Sequence, residues 1–423
     1  MQTDLLRTSK TMTAARKLEP IFVHASPRSG STYFFNVLRR DKNLMCFNEA
    51  IGDVFGYWQK KGTDNFSKRL KWDANHNFLE RHDFSEIIEA WDSVVHLFPM
   101  FPSFRDYVPE NGILLAELRA YLAGLIEYAR EQNKRPALCE TLSRCRAAAM
   151  RDAFGGFHIA QFRDPLNQFG SFYRQLPQAG EWYFLAFPAM ELGFGGKHPL
   201  YSLIPDAWRL PIMPWPADDG AQRWASKIEY LAIVSSPQRD TIEKVFRWHM
   251  FSWILGNLAA ICYSDFVLDI DKVHDNLEYR RSVSDKLESA VGVNLDFSDV
   301  TKFSRYYEFE AFDLKVVCEQ VMSATNNVLR AGRLAEAISS LGTGEPIVNP
   351  AAAAEILFLK IRDSIAALEA SGDRLHVSNA DWKAVAQHNQ RIWFKPRLRV
   401  LGRRLYPLAE PIVRAARRSG IWN

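Results

Sequence analysis

Short apolar runs alternate with helical periods through the first half of this chain, and that alternation constrains the fold more than any other feature. IFVHAS (21–26), NLMCF (43–47), PALCE (136–140) and FHIAQF (157–162) each read as a strand, and DFVLDI (265–270) adds a fifth. Between them, residues 31–40 carry Tyr33, Phe34, Val37 and Leu38 on a helical period. Residues 111–132 repeat Leu114, Leu118, Leu122, Leu125 and Tyr128 at threes and fours. Further helices are predicted at 143–154, after Arg163, and at 241–262. Strands alternating with helices predict an α/β fold, a parallel sheet with helices on both faces.

The rest of the chain is organised differently. Residues 176–240 are rich in Pro, Gly, Trp and Phe and read as an irregular, partly helical insertion, either a cover over a site or an aromatic packing subdomain. From about Asn276 onward the pattern is helical, clearest in AAAAEILFLKIRDSIAALEA. The expected organisation is a basic tail over 1–18, an α/β domain over 19–300 holding the insertion, and a helical region over 301–423.

Net charge is only +4, but it is unevenly placed. From Arg391 onward there are nine Lys/Arg against one acid, Glu410, and residues 1–17 hold four against Asp4, so the body between is mildly acidic. A nucleic-acid protein would instead carry a basic face through its folded domain, and no nucleic-acid partner is expected. Five scattered cysteines with no CxxC pair fit reduced thiols in a cytoplasmic protein, with no metal site expected. The first residues lack the apolar core of a secretory signal and read as a frayed tail, a transit peptide being the alternative.

Chemistry concentrates after the first strand. PRSGST (27–32) joins it to a helix. Gly30 lets the backbone turn tightly, and the amides of Gly30, Ser31 and Thr32 can face an anion at the helix start. Ser29, Ser31 and Thr32 add hydroxyls, and Arg28 is a planar multidentate donor. The lysine of a Walker-type loop is missing after the glycine. Taken alone, the segment also reads as a plain capping loop. A second motif, RDPLNQFGS (163–171), follows the fourth strand. Arg163 and Ser171 can hold one phosphate there, while Asp164 and Pro165 suit a helix start.

Together these segments resemble the sulfotransferases that use 3′-phosphoadenosine 5′-phosphosulfate (PAPS), over roughly residues 19–175. The resemblance implies the P-loop NTPase-like sulfotransferase fold with a helical C-terminal extension. It implies that Arg28, Ser29, Gly30, Ser31 and Thr32 bind the phosphosulfate end, that Arg163 and Ser171 bind the 3′-phosphate, and that Tyr33 stacks on adenine. VLDIDKV (267–273) is a weaker echo of the family's next strand end. Sulfuryl transfer needs charge stabilisation, for which Arg28 is the candidate, and a general base. Glu49 lies 21 positions after Arg28, a spacing similar to that of the tyrosylprotein branch. A lone Glu after a strand also reads as a capping residue. HLFP (96–99) resembles the histidine segment of the cytosolic branch and makes His96 the alternative base. The family's lysine near the third strand is absent from PALCETLSR, where Arg144 or Arg146 could substitute or simply be helix surface.

The expected acceptor is a hydroxyl compound, a carbohydrate being favoured over a phenol or tyrosine because Trp182, Tyr183, Trp208, Trp215 and Trp224 can form platforms, though core packing explains them equally. The tail after Arg391 mixes apolar residues with arginines and suits an anionic membrane surface, or an exposed helix end or oligomer contact. Two rivals stand beside this reading: a P-loop small-molecule kinase, and a catalytically silent relative that binds PAPS or its product.

Overall fold

The structure, a computed structural model, describes residues 19–52, 55, 59, 84–99, 103, 105–179, 183–195, 198–210, 242–300, 306–310, 312–372 and 374–378. The basic tails at both ends and most of the insertion lie outside these residues.

The described chain runs β1 (Ile21–His24), α1 (Ser31–Arg39), β2 (Leu44–Asn48), α2 (Ser85–Val94), α3 (Ala116–Glu131), β3 (Arg135–Glu140), α4 (Ala147–Phe154), β4 (Phe157–Phe162), α5 (Pro165–Ala179) and α6 (Tyr183–Phe194). It continues through α7 (Ile242–Cys262), β5 (Phe266–Asp269), α8 (Ile270–Asp275), α9 (Leu277–Val291), β6 (Tyr306–Phe309), α10 (Leu314–Arg330), α11 (Arg333–Ser339), α12 (Pro350–Ala370) and β7 (Arg374–Val377). All five expected strands form one sheet in the order β2-β3-β1-β4-β5, and every pairing is parallel. The protein is thus α/β, with helices on both faces of a parallel sheet.

The strands read as unbroken apolar runs because both faces are covered. Ile21, Val23, Cys46, Ala137, Cys139 and Ile159 point to a layer holding α1 and α9. Phe22, Met45, Phe47 and Leu138, one residue out of phase, point to the opposite layer with α2 and α3. The chain leaves β1 towards the first layer, through α1, and leaves β3 by way of α4, whose Ala149 and Met150 join the second. Adjacent strands whose connections part to opposite faces open a crevice beyond their carboxyl ends, where α/β proteins bind ligands.

The largest core sits beside β4 and is built on α7, buried along nearly its whole length. Residues from 306 to 377 belong to this core. They are not helical throughout, since β6 and β7 pair in parallel as a separate two-stranded sheet. This sheet braces α5: a Cβ on Gly170 would lie 2.4 Å from the Tyr307 ring, so only glycine permits the approach.

Candidate functional site

The loop from β1 to α1 lies at the centre of the carboxyl edge. Gly30 adopts φ +81° as the residue capping α1, and among the described residues no side chain caps that helix. An added Cβ would also meet Ile270 Cγ1 at 3.0 Å. Without a capping side chain, the first-turn amides of α1 point into the crevice with the positive end of the helix dipole. Arg28 has φ +62°. A left-handed non-glycine residue costs free energy and tends to occur where function requires the geometry.

The second motif is physically joined to the first. Arg28 Nε donates to Ser171 Oγ at 3.0 Å, and Arg163 Nη1 donates to the Arg28 carbonyl at 3.3 Å. Two glutamines pin the loop: Gln168 donates to Ser26 Oγ and the Pro27 carbonyl, both at 2.6 Å, and Gln161 to the Ser29 carbonyl at 3.0 Å. The Oε1 atoms of both glutamines are buried with no hydrogen-bond partner among the described residues. Asp164 starts α5 as its sequence predicts, accepting from the amides of Leu166 at 2.8 Å and Asn167 at 3.0 Å. Burial lowers the Arg28 pKa to about 10, and the neighbouring Arg174 and Arg163 act in the same direction while Glu49 opposes them. Three guanidinium groups gathered round one loop make a site for an anion.

Glu49 follows β2 at the same edge, half-buried and left-handed at φ +48°. Its amide donates to the Cys139 carbonyl at 2.8 Å and its carbonyl closes a turn to the Gly52 amide at 2.8 Å. Beneath this turn lies Glu140, the last residue of β3, 1% exposed. The Ile51 amide donates to its Oε2 at 3.2 Å, and Ala50 contributes a further backbone bond. Among the described residues its Oε1 has no hydrogen-bond partner. Burial pushes the Glu140 pKa up to about 8, and the charge of Glu49 adds to the rise against these backbone bonds. A buried carboxyl that favours its protonated form therefore lies beside Glu49 at this edge. Glu140 escaped the sequence reading because it closes the run PALCE; a carboxylate ending an otherwise apolar inner strand was the available signal.

His96 is exposed on a short 3-10 turn (Val95–Leu97) that packs on α2 and α3, and it takes no part in the contacts that join Arg28, Ser171 and Arg163. Tyr33 is half-buried on α1, its ring centroid 5.3 Å from that of His274 and its hydroxyl 3.4 Å from Asp299. Arg144 and Arg146 are not helix surface: they are 1% and 0% exposed. Arg144 pairs with Glu191 at 2.7 Å, and Tyr107 and Ser252 also donate to that carboxylate. Arg146 donates to the carbonyls of Leu142 at 2.8 Å, Arg105 at 2.7 Å and Asp106 at 3.0 Å. Of the aromatic platforms, Trp182, Trp215 and Trp224 lie outside the described residues, and Trp208 packs between Arg247 at 4.4 Å and Phe251 at 5.6 Å.

Set against family models, curated proteins and solved structures, the chain matches none of them.

Proposed function

We propose that this chain is a PAPS-dependent sulfotransferase of the P-loop NTPase-like sulfotransferase fold. The observation that carries the reading is the bond from Arg28 to Ser171, with Arg163 on the Arg28 carbonyl. The two segments that resemble the family's 5′-phosphosulfate and 3′-phosphate motifs meet around Arg28, with Arg163 and Arg174 beside it. The residues fit the donor: the start of α1, with no side-chain cap among the described residues, would take its 5′-phosphate end, and Arg163 its 3′-phosphate.

In the reaction, the acceptor oxygen attacks sulfur as the bond from sulfur to the 5′-phosphate oxygen breaks. Glu49 takes the hydroxyl proton, and the leaving phosphate keeps the electron pair, offset by Arg28 and the loop amides. The acceptor is a carbohydrate or glycolipid hydroxyl. Transfer from sulfur-labelled PAPS to a panel of saccharides and phenols tests this. Glu49→Gln should lower transfer by about 10²–10⁴-fold while leaving PAP (3′-phosphoadenosine 5′-phosphate) binding intact. Transfer undiminished in that variant would remove Glu49 from the mechanism.

One observation favours a second reading, a silent PAP-binding relative. Arg144 and Arg146, the candidates for the family's missing lysine, are committed to Glu191 and to backbone carbonyls. That reading predicts PAP binding without turnover on any acceptor.

A further inference from the structure

We propose that Lys360, on a helix nearly two hundred residues after the second motif, is a positioning residue that keeps Arg163 available to a 3′-phosphate. This rests on the sulfotransferase reading. In α12 the buried stripe runs Ala353, Leu357, Lys360, Ser364 and Leu368, so a lysine stands at a core position of an apolar face. Such a placement is rare unless the charge is paired. Lys360 Nζ lies 2.8 Å from Asp269 Oδ1 and 2.9 Å from Asp271 Oδ2, at the end of β5 and the start of α8. Burial opposes its charge, but Asp271 and Asp269 more than offset that and hold its pKa above the ordinary value.

Asp271 is the link to the site. Its Oδ1 lies 3.5 Å from Arg163 Nε, and its Oδ2 accepts from the Asp164 amide at 2.6 Å. It therefore sets both the guanidinium and the backbone at the head of the second motif. An uncompensated carboxylate there would cancel the Arg163 charge and repel an incoming phosphate. Lys360 supplies the compensation: Asp271 orients Arg163 without neutralising it, because its charge is shared with Lys360. Asp269 is held by Lys360 and, at 3.8 Å, by Lys272. Asp164 is nearby but is engaged by Tyr306 Oη at 3.0 Å and by the first amides of α5.

The test is calorimetric binding of PAP and of AMP, which lacks the 3′-phosphate, to wild type, Lys360→Met, Lys360→Arg and the double variant Lys360→Met/Asp271→Asn. Wild type should prefer PAP. Lys360→Met should lose at least about tenfold in PAP affinity with AMP affinity unchanged. Lys360→Arg should retain the preference, and the double variant should regain most of it, since Asp271→Asn removes the carboxylate charge facing Arg163 while keeping an oxygen to orient it, and Asp269 keeps Lys272. Equal PAP affinity in wild type and Lys360→Met overturns the inference, and so does an equal loss for both nucleotides, which marks general structural damage. If Lys360→Met does not fold, the double variant decides: without the preference for PAP, the inference fails. Wild type with no preference between PAP and AMP overturns the sulfotransferase reading and this inference together.

Discussion

Replacing Glu140 with Gln should stabilise the protein at neutral pH, by an amount that follows from where the carboxyl sits. Its pKa is about 8 in the folded chain against an ordinary value of 4.5. A raised carboxyl favours the folded state fully below the unfolded pKa, and that contribution is lost as pH rises through the folded one. At pH 7 the unfolded chain gains by releasing a proton that the folded chain retains, a difference of about 3 kcal/mol at roughly 1.4 kcal/mol per pH unit. Gln is nearly isosteric and neutral at every pH. Its carbonyl can accept from the Ile51 amide as the carboxyl does, and its other polar atom takes the place of Glu140 Oε1, which has no partner among the described residues, so desolvation largely cancels. The gain of Glu140→Gln over wild type should be near zero at pH 4.5 and reach about 5 kcal/mol above pH 8, large beside a typical stability of about 5–15 kcal/mol. Urea unfolding of both proteins from pH 5 to 8.5 measures it. A difference that does not change with pH would refute the reasoning, because it would mean that Glu140 does not retain its proton on folding.

Other perturbations probe the core. Three buried histidines should make the protein acid-sensitive. Burial, then His158, holds the His24 pKa well below its ordinary value, and burial lowers His158 and His249 to about 3. His158 Nε2 faces the Gly155 carbonyl, so His158 Nδ1 accepts from His24 Nε2 and His24 Nδ1 from Ser143, a chain that requires neutral rings. Their contribution is complete above pH 6.5 and lost as pH falls towards 3, at about 1.4 kcal/mol per pH unit for each ring. His249→Gln, which keeps the donor to the Pro165 carbonyl, should reduce that slope by one proton in urea titrations. Glu191→Gln should cost about 3–5 kcal/mol by stranding Arg144, and Arg144→Met with Glu191→Leu should recover most of it in thermal melts.

The strands were legible because each is a short apolar run, and Asp164-Pro165 announced its helix because capping chemistry is local. Longer-range relations were not legible. Arg144 and Arg146 sit at the head of an amphipathic helix and read as substitutes for the missing lysine or as helix surface, since the partner of Arg144, Glu191, lies 47 positions away in the insertion. The β6 and β7 strands are four residues each, and their pairing depends on a long separation in sequence rather than on any local alternation. Residues 183–194 form a helix despite Pro188 within it, which local propensity argues against. The tight loop from β1 to α1, proposed to bind an anion, could be read from its glycine and hydroxyls. The link from Arg28 to Ser171, the raised Glu140 and the buried Lys360 arise only when strands from different parts of the chain share one edge.

The most direct test of the central claim is thermal stabilisation by PAP, beside ADP and ATP, of wild type and Arg163→Ala. A ligand at a hundred times its Kd stabilises the folded state by about 2.7 kcal/mol. The account predicts that PAP raises the melting temperature, that ADP and ATP do not, and that Arg163→Ala abolishes the PAP effect. Stabilisation by ATP equal to that by PAP, or by none of the three, would contradict it.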